Sequence, residues 1–392
     1  MSLIIHKVCN DWYIEGNYIG MNVLVIGNGF DLTHGLPTRY MDFLKFIEKY
    51  EEYYNNSFVY CDYTNIAEYF KDLKENRFDI YNEINSLINE NRWIHHFLKL
   101  KDENMLKNKP TWIDFESEIS KVIQTLDKIK RRFKNDSYSE RNQVKLDEYE
   151  FEVLHDVFDF DRKLDIVSSF LLLKEIESIT KKLVEDLNRL IRCLEIYLDD
   201  FVSNKYFETL KKKEFITNLK IDKILSFNYT NTYKRLYGSS HIEFNYIHGR
   251  VNHKHDLNSC DLILGIDEYL DDNEKNQYVD FIQFKKFFQR IYKSTSCSYK
   301  EWLETYELHK KEFPKSRRGL NIYFIGHSLD VTDKDILKEL ILHEGANTII
   351  YYHNQEALSR LITNLVKVIG EDELISRTGG YHGSIKFIQQ PE

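Results

Sequence analysis

Apolar residues recur along this chain with two different spacings, and the change from one to the other marks its organisation. Val23 to Ile26 is a continuous run of buried-type residues that breaks into Gly27-Asn28-Gly29, the pattern of a strand ending in a tight turn before a helix. After Gly35-Leu36-Pro37, Thr38 can cap a helix whose apolar positions Met41, Leu44, Phe46 and Ile47 keep helical spacing to about Tyr54. From there to about Leu219 the chain is rich in Lys, Glu and Asn and poor in proline. Ile80 to Leu100, Trp112 to Phe133 and Leu164 to Phe201 read as amphipathic helices, the last long enough to be the spine of a helical subdomain. Short β-type runs resume at Lys223–Phe227, His241–Ile247, Asp261–Leu264, Asn321–Ile325 and Thr348–Tyr352. They are interleaved with helical patterns at Tyr278–Tyr292, Trp302–His309, Asp335–His343 and Gln355–Val368.

Strands alternating with helices predict an α/β fold, a mostly parallel doubly wound sheet with helices on both faces. The long helical stretch then becomes an insertion. The expected division is an N-terminal extension over 1–20, an α/β domain built from 21–55 plus 220–392, and a helical insertion over 56–219. Ligands of such sheets sit at the carboxyl ends of the strands. The chain's most distinctive short segments fall at those ends: Gly27-Asn-Gly-Phe-Asp31, Ser226-Phe-Asn-Tyr-Thr230, Tyr246-Ile-His-Gly249 and Phe324-Ile-Gly-His-Ser-Leu-Asp-Val331.

Each segment carries candidate chemistry beside a plainer explanation. The glycines at 27 and 29 permit close backbone approach to a diphosphate at a helix start, or serve only a tight turn. Asn228 can hold a ribose hydroxyl or a water without imposing charge, or bond its own backbone in a turn. His248 titrates in a range suited to a general base, though a lone histidine is more often packed or at the surface. Asp31 can accept from a ribose or cap the helix near it, and Ser328 can contact a ribose or lie in a helix-leading turn. Trp112, Asp114 and Glu116 can reach the cleft from the insertion, or belong to its core and surface. The basic run Lys128-Ile-Lys-Arg-Arg-Phe-Lys134 fits a solvated helix face better than a nucleic-acid contact. His95-His96 faces two directions on a helix, and His253-Lys-His255 has no cysteine or carboxylate partners at ligand spacing, so no metal is expected.

In their order, these segments resemble the nucleotide-binding core of the sirtuin-like superfamily. With Trp112-Ile-Asp-Phe-Glu116 and the Tyr351-Tyr-His353 strand end added, the chain resembles the AbiH family of bacteriophage abortive-infection proteins. The resemblance implies a sirtuin-like Rossmann-type sheet with a large helical insertion. It further implies NAD, or a related nucleotide, as substrate, held by Gly27, Asn28, Gly29, Phe30, Asp31, Pro37, Gly326, Ser328 and Leu329, with Asn228 and His248 as catalytic residues. The chemistry implied is hydrolysis of NAD to nicotinamide and ADP-ribose in phage defence. Two alternatives stay open: a nucleotide-sensing module, and an effector that attacks nucleic acid through the helical insertion. Asp31 departs from the small hydroxyl residue that sirtuins place there.

Composition narrows these choices. A formal charge of −9 and a pI near 5.9 leave no overall electrostatic footprint for duplex nucleic acid, so such a partner is not expected. The five cysteines form no Cys-x-x-Cys pair, which removes the four-cysteine zinc module of sirtuin deacylases and makes deacylation the weaker chemistry. No secretory pattern or long apolar span occurs, and a cytoplasmic setting away from membranes is expected. A phage-derived trigger and a homo-oligomer are compatible with this reading.

Overall fold

A computed structural model of the chain describes residues 20–55, 64–106, 113–135, 147–158, 167–238, 240–295, 297–312, 319–380 and 383–391, with short pieces at 7–8, 11–12 and 143–144. Its central sheet has six strands: β1 (Asn22–Ile26), β2 (Lys223–Ser226), β3 (Glu243–Tyr246), β4 (Leu320–Ile325), β5 (Ala346–Tyr352) and β6 (Ile385–Gln389). All pair in parallel, in the order 3-2-1-4-5-6. This is the order of doubly wound nucleotide-binding sheets, and the strand direction of winding reverses between β1 and β4.

The helices that matter below are α1 (Asn28–Thr33), α2 (Tyr40–Tyr54), α3 (Thr64–Asn76), α4 (Phe78–Ile88), α5 (Arg92–Leu106), α6 (Phe115–Asn135), α7 (Glu148–Phe158) and α8 (Ser169–Ile196). They continue with α9 (Thr232–Leu236), α10 (Lys286–Tyr292), α11 (Ser298–Glu312), α12 (Lys334–Ile341), α13 (Gln355–Ile369) and α14 (Glu371–Thr378). Alternation along the strands divides the sheet's side chains between two cores. Val23, Val25, Ile322 and Phe324 pack on one face against α11, α12 and α13, while Leu24, Ile26, Ile224 and Ile325 pack on the other against Phe30 and Tyr233. Full burial of each such side chain stabilises the fold by roughly 1.5–3 kcal/mol.

A third core fills the helical layer. Phe43, Phe46 and Tyr50 of α2 share it with Phe97, Phe115, Leu190 and Phe201, and so do Val251, Leu264 and Phe284 from the segment between β3 and α10. The helical layer therefore draws on chain from both sides of residues 56–219. Several expected elements differ in detail. The stretch from Ile80 to Leu100 is two helices, because Glu90 adopts a left-handed backbone (φ 56°) that ends the first. The spine helix α8 gives way to a wider π-helical turn at Tyr197–Val202. Asp261–Leu264 is not a strand: the Leu264 backbone bonds the Gln289 side chain through both its N–H and its C=O, and Ile263 N–H bonds His248 C=O. Thr38 does not cap α2 but donates to Asn28 Oδ1 at 2.6 Å, and Arg39 with Asp42 opens the helix instead. The sequence pattern predicts neither α14 nor the edge strand β6.

At the reversal point two turns touch backbone to backbone. Gly29 N–H donates to Gly326 C=O at 2.8 Å, and a Cβ on Gly29 would lie 2.8 Å from Gly326 Cα. Gly326 has φ +68°, and a Cβ there would lie 2.0 Å from Phe30 N. Gly326→Ala should therefore cost much more stability than the ~1–2 kcal/mol of left-handed strain alone. Gly35→Ala, at φ +85° with no neighbour within 4 Å of the added Cβ, isolates that strain term. Similar, small losses for both variants in urea denaturation would show that the two turns separate readily.

Candidate active site

A lysine in an apolar stretch, Phe284-Lys-Lys-Phe-Phe288, is the centre of the polar cluster at the carboxyl edge of the sheet. Lys286 on α10 is buried, and its Nζ lies 2.8 Å from Glu116 Oε2 and 2.9 Å from Asp333 Oδ1. Glu116 stands in the first turn of α6. Phe115 beside it is stacked between Tyr40 (4.2 Å) and Phe97 (4.0 Å), and Asp114 accepts from Glu116 N–H and from Ser117 Oγ, so packing and capping together fix where the carboxylate points. Asp333 lies in the turn that follows β4 and leads into α12.

Two carboxylates against one buried ammonium leave an excess negative charge. Burial raises the Asp333 carboxyl, but Lys286, His248 and His327 outweigh it and hold the group well below the usual carboxylate range. Glu116 is pushed up to about 7, by burial first and then by Asp333 and Asp114, against the pull of Lys286. Asp333 is thus the fixed anion and Glu116 the proton acceptor near neutral pH. Lys286 itself stays charged: burial works against the ammonium, and the two carboxylates more than offset it.

Two histidines face this anion. His248 Nε2 lies 3.2 Å from Asp333 Oδ1, off the line of a hydrogen bond, and His327 Nε2 lies 3.8 Å from Oδ2. Both rings pack edge-on to Phe227, with centroids at 5.2 and 4.4 Å. Burial lowers the His248 pKa, opposed by Asp333 and aided by Lys286 and Arg290; His327 is held down to about 4, again chiefly by burial. His327 Nδ1 accepts from Leu329 N–H at 2.9 Å, which places any ring proton of the neutral form on Nε2, toward Asp333. Both imidazoles are neutral at pH 7.

Where the chain leaves β1 and β2, Asp31 accepts from Thr230 Oγ1 at 2.6 Å, and Thr230 is 3.0 Å from Thr232 Oγ1. Burial pushes Asp31 up to about 6, against hydrogen bonds from Thr230 and Thr232 and the adjacent Asn228 amide. Neither polar atom of the buried Asn228 side chain completes a hydrogen bond of good geometry, and the same is true of Asp31 Oδ1, His248 Nε2 and Arg290 Nη1. Such orphans are rare in native interiors, because each costs about 1–3 kcal/mol. Asn228 and Asp31 follow neighbouring strands, Arg290 lies on α10, and His248 Nε2 retains Asp333 at 3.2 Å as its charge partner.

The family description "Bacteriophage abortive infection AbiH" matches residues 23–353. The chain belongs to the AbiH family. No curated protein and no solved structure gives a significant match. The family match spans every segment of the cluster just described, from β1 through Asp333, and runs through the helical layer that supplies Glu116.

Of the residues singled out in this AbiH sequence, His248 reaches the Lys286 cluster and Glu116 joins it from the helical layer, while Asn228 and Asp31 neighbour one another where the chain leaves β2 and β1. Trp112 lies outside the described residues. Asp114 caps α6 and is held above the usual carboxylate range, chiefly by burial. Gly27, Gly29 and Gly326 form the backbone contact between turns. Asn28 is exposed and pairs with Thr38, Pro37 C=O accepts from Tyr197 OH at 2.6 Å, and Ser328 is exposed with its C=O bonded to Asn364. Phe30 and Leu329 are fully buried in the cores on the two faces of the sheet. Sequence reading missed Lys286, Asp333, His327 and Arg290. The available signal was a lysine pair among aromatics, together with the downstream residues of the Gly326 segment.

His255 does have carboxylate neighbours, contrary to the sequence reading: donor atoms of Glu195, His255 and Asp261 lie within 4.8 Å of one another. That group is satisfied as it stands, since Glu195 also accepts from Arg192 and from Asn252 N–H. A cavity of about 300 Å³ lies at the opposite, amino end of β2 and β3, lined by Ile216, Ile221, Tyr233, Tyr237 and His241. Among the described residues no helix is long and apolar enough to cross a membrane.

The charge distribution generates a pH test. A carboxyl whose folded pKa exceeds its unfolded value stabilises the fold when protonated, so the Glu116 contribution is present below pH 4.5 and is lost as pH rises through about 7. Urea denaturation should show wild type losing stability relative to Glu116→Gln between pH 4.5 and 7, with a constant difference above. Parallel profiles would mean that Glu116 is ionised throughout.

Proposed function

We propose that this AbiH-family protein hydrolyses NAD to nicotinamide and ADP-ribose, and that NAD depletion is the effector event of its abortive infection. The observation that carries the reading is the pairing of a buried, neutral His248 with the ionised Asp333; Asn228, whose side-chain amide completes no hydrogen bond of good geometry, follows the neighbouring strand. A neutral imidazole beside a fixed carboxylate suits a general base, with the carboxylate stabilising the imidazolium that forms.

In this reaction the bond between C1′ of the ribose and N1 of nicotinamide breaks, and its electron pair leaves with the neutral nicotinamide. Positive charge develops on the ribose. The carboxylates of Asp333 and, when ionised, Asp31 favour that charge in a site screened from water. Asn228 orients a ribose hydroxyl or the attacking water, His248 takes the proton as water adds to C1′, and ADP-ribose results. The cluster is buried, so entry of a dinucleotide requires part of its cover to move. The Glu116–Lys286 contact between helical layer and sheet edge is the polar part of that cover. A sirtuin-like arrangement of the nucleotide belongs to the same proposal, as does a phage-derived trigger for opening.

Chromatography of purified protein incubated with NAD is the direct test, with nicotinamide and ADP-ribose expected in equal amounts. His248→Ala should slow nicotinamide release by about a hundredfold or more, the usual share of a general base, while NAD binding changes little. Asn228→Ala should separate binding from turnover in the same way. In cells both variants should lose toxicity and phage protection together. Full protection by a His248→Ala strain whose NAD stays constant during infection would sink the hydrolase reading in favour of a sensor.

A further inference from the structure

We propose that Arg290 is the anion-binding residue of this site and takes the diphosphate of a dinucleotide or of ADP-ribose; the identity of the ligand rests on the hydrolase reading, and the anion site does not. The glycine turn expected to hold a diphosphate is already engaged. Gly29 N–H is bonded to Gly326 C=O and Phe30 N–H to Gly27 C=O, and α1 is only six residues long. Of the cations at this edge, Lys286 is already paired with both Glu116 and Asp333.

Arg290 is different. It follows Lys286 by one helical turn on the same buried face of α10, and its side chain is 9% exposed. Nη2 pairs with Asp335, whereas Nη1 is buried with no partner. An unsatisfied N–H on a charged guanidinium is a costly orphan, and the planar fork of arginine matches two phosphate oxygens. Its position is rigid, because neighbouring Gln289 clamps α10 to the backbone of Leu264 and Gln283. The Asp335 side chain is 49% exposed, so the pair runs from solvent into the cluster. Arg290 also acts electrostatically on His248, so the guanidinium belongs to the same charged cluster.

Calorimetry with ADP-ribose and with adenosine, on wild type, Arg290→Gln, Arg290→Lys and Asp335→Asn, tests the assignment. ADP-ribose affinity should fall at least tenfold in Arg290→Gln, recover in part in Arg290→Lys, and stay equal or improve in Asp335→Asn, while adenosine binding is unchanged. Unchanged adenosine affinity guards against a folding defect in the Arg290 variants, and Asp335→Asn leaves the arginine in place. Unchanged ADP-ribose affinity in Arg290→Gln, an equal loss for adenosine, or no ADP-ribose binding by wild type overturns the proposal. Arg290-dependent ADP-ribose binding without nicotinamide release from NAD would remove the hydrolase reading and leave the anion site standing.

Discussion

The buried ammonium of Lys286 ties together three parts of the chain that are far apart in sequence: the start of α6 in the helical layer, α10, and the turn after β4. A charge taken out of water costs several kcal/mol unless its partners are close and correctly placed, so none of the three elements can shift without exposing the others to that cost. The arrangement also sets the state of its neighbours. Asp333 is held ionised, Glu116 shifts toward neutrality, and the two histidines stay uncharged beside the anion.

Apolar packing places these charges. Phe115 is stacked between Tyr40 and Phe97, which orients the first turn of α6 and hence Glu116. Phe227, at the end of β2, lies edge-on to both His248 and His327 and spaces them around Asp333. The same aromatic side chains keep water out, which strengthens every electrostatic effect in the cluster and makes each orphaned polar atom costly.

The contact of the Gly27–Gly29 turn with Gly326 changes the meaning of the glycines. They are needed because two backbones meet with no room for a Cβ. A residue larger than glycine at position 29 would disturb that junction, so a loss of ligand binding in such a variant would not locate a phosphate. The positive charge that can serve an anion lies on α10, across the edge of the sheet.

Much of the architecture is legible in the chain alone. Val23–Ile26, Asn321–Ile325 and Thr348–Tyr352 read as buried strands because both faces of a parallel sheet are covered, and the strand-end motifs point to the carboxyl edge of the sheet, where His248 meets Asp333. Local pattern also shows the helices between β1 and β2, because 3.6-residue periodicity depends only on neighbours in sequence. What local pattern cannot carry is partnership. Lys286 looks like a surface lysine until Glu116, 170 positions earlier, and Asp333, 47 positions later, are brought to its ammonium. Asp261–Leu264 looks like a strand until Gln289 takes its backbone bonds. The strand order, the partner of each buried charge and the polar atoms left without one are set by contacts distant in sequence, so only the tertiary structure decided them.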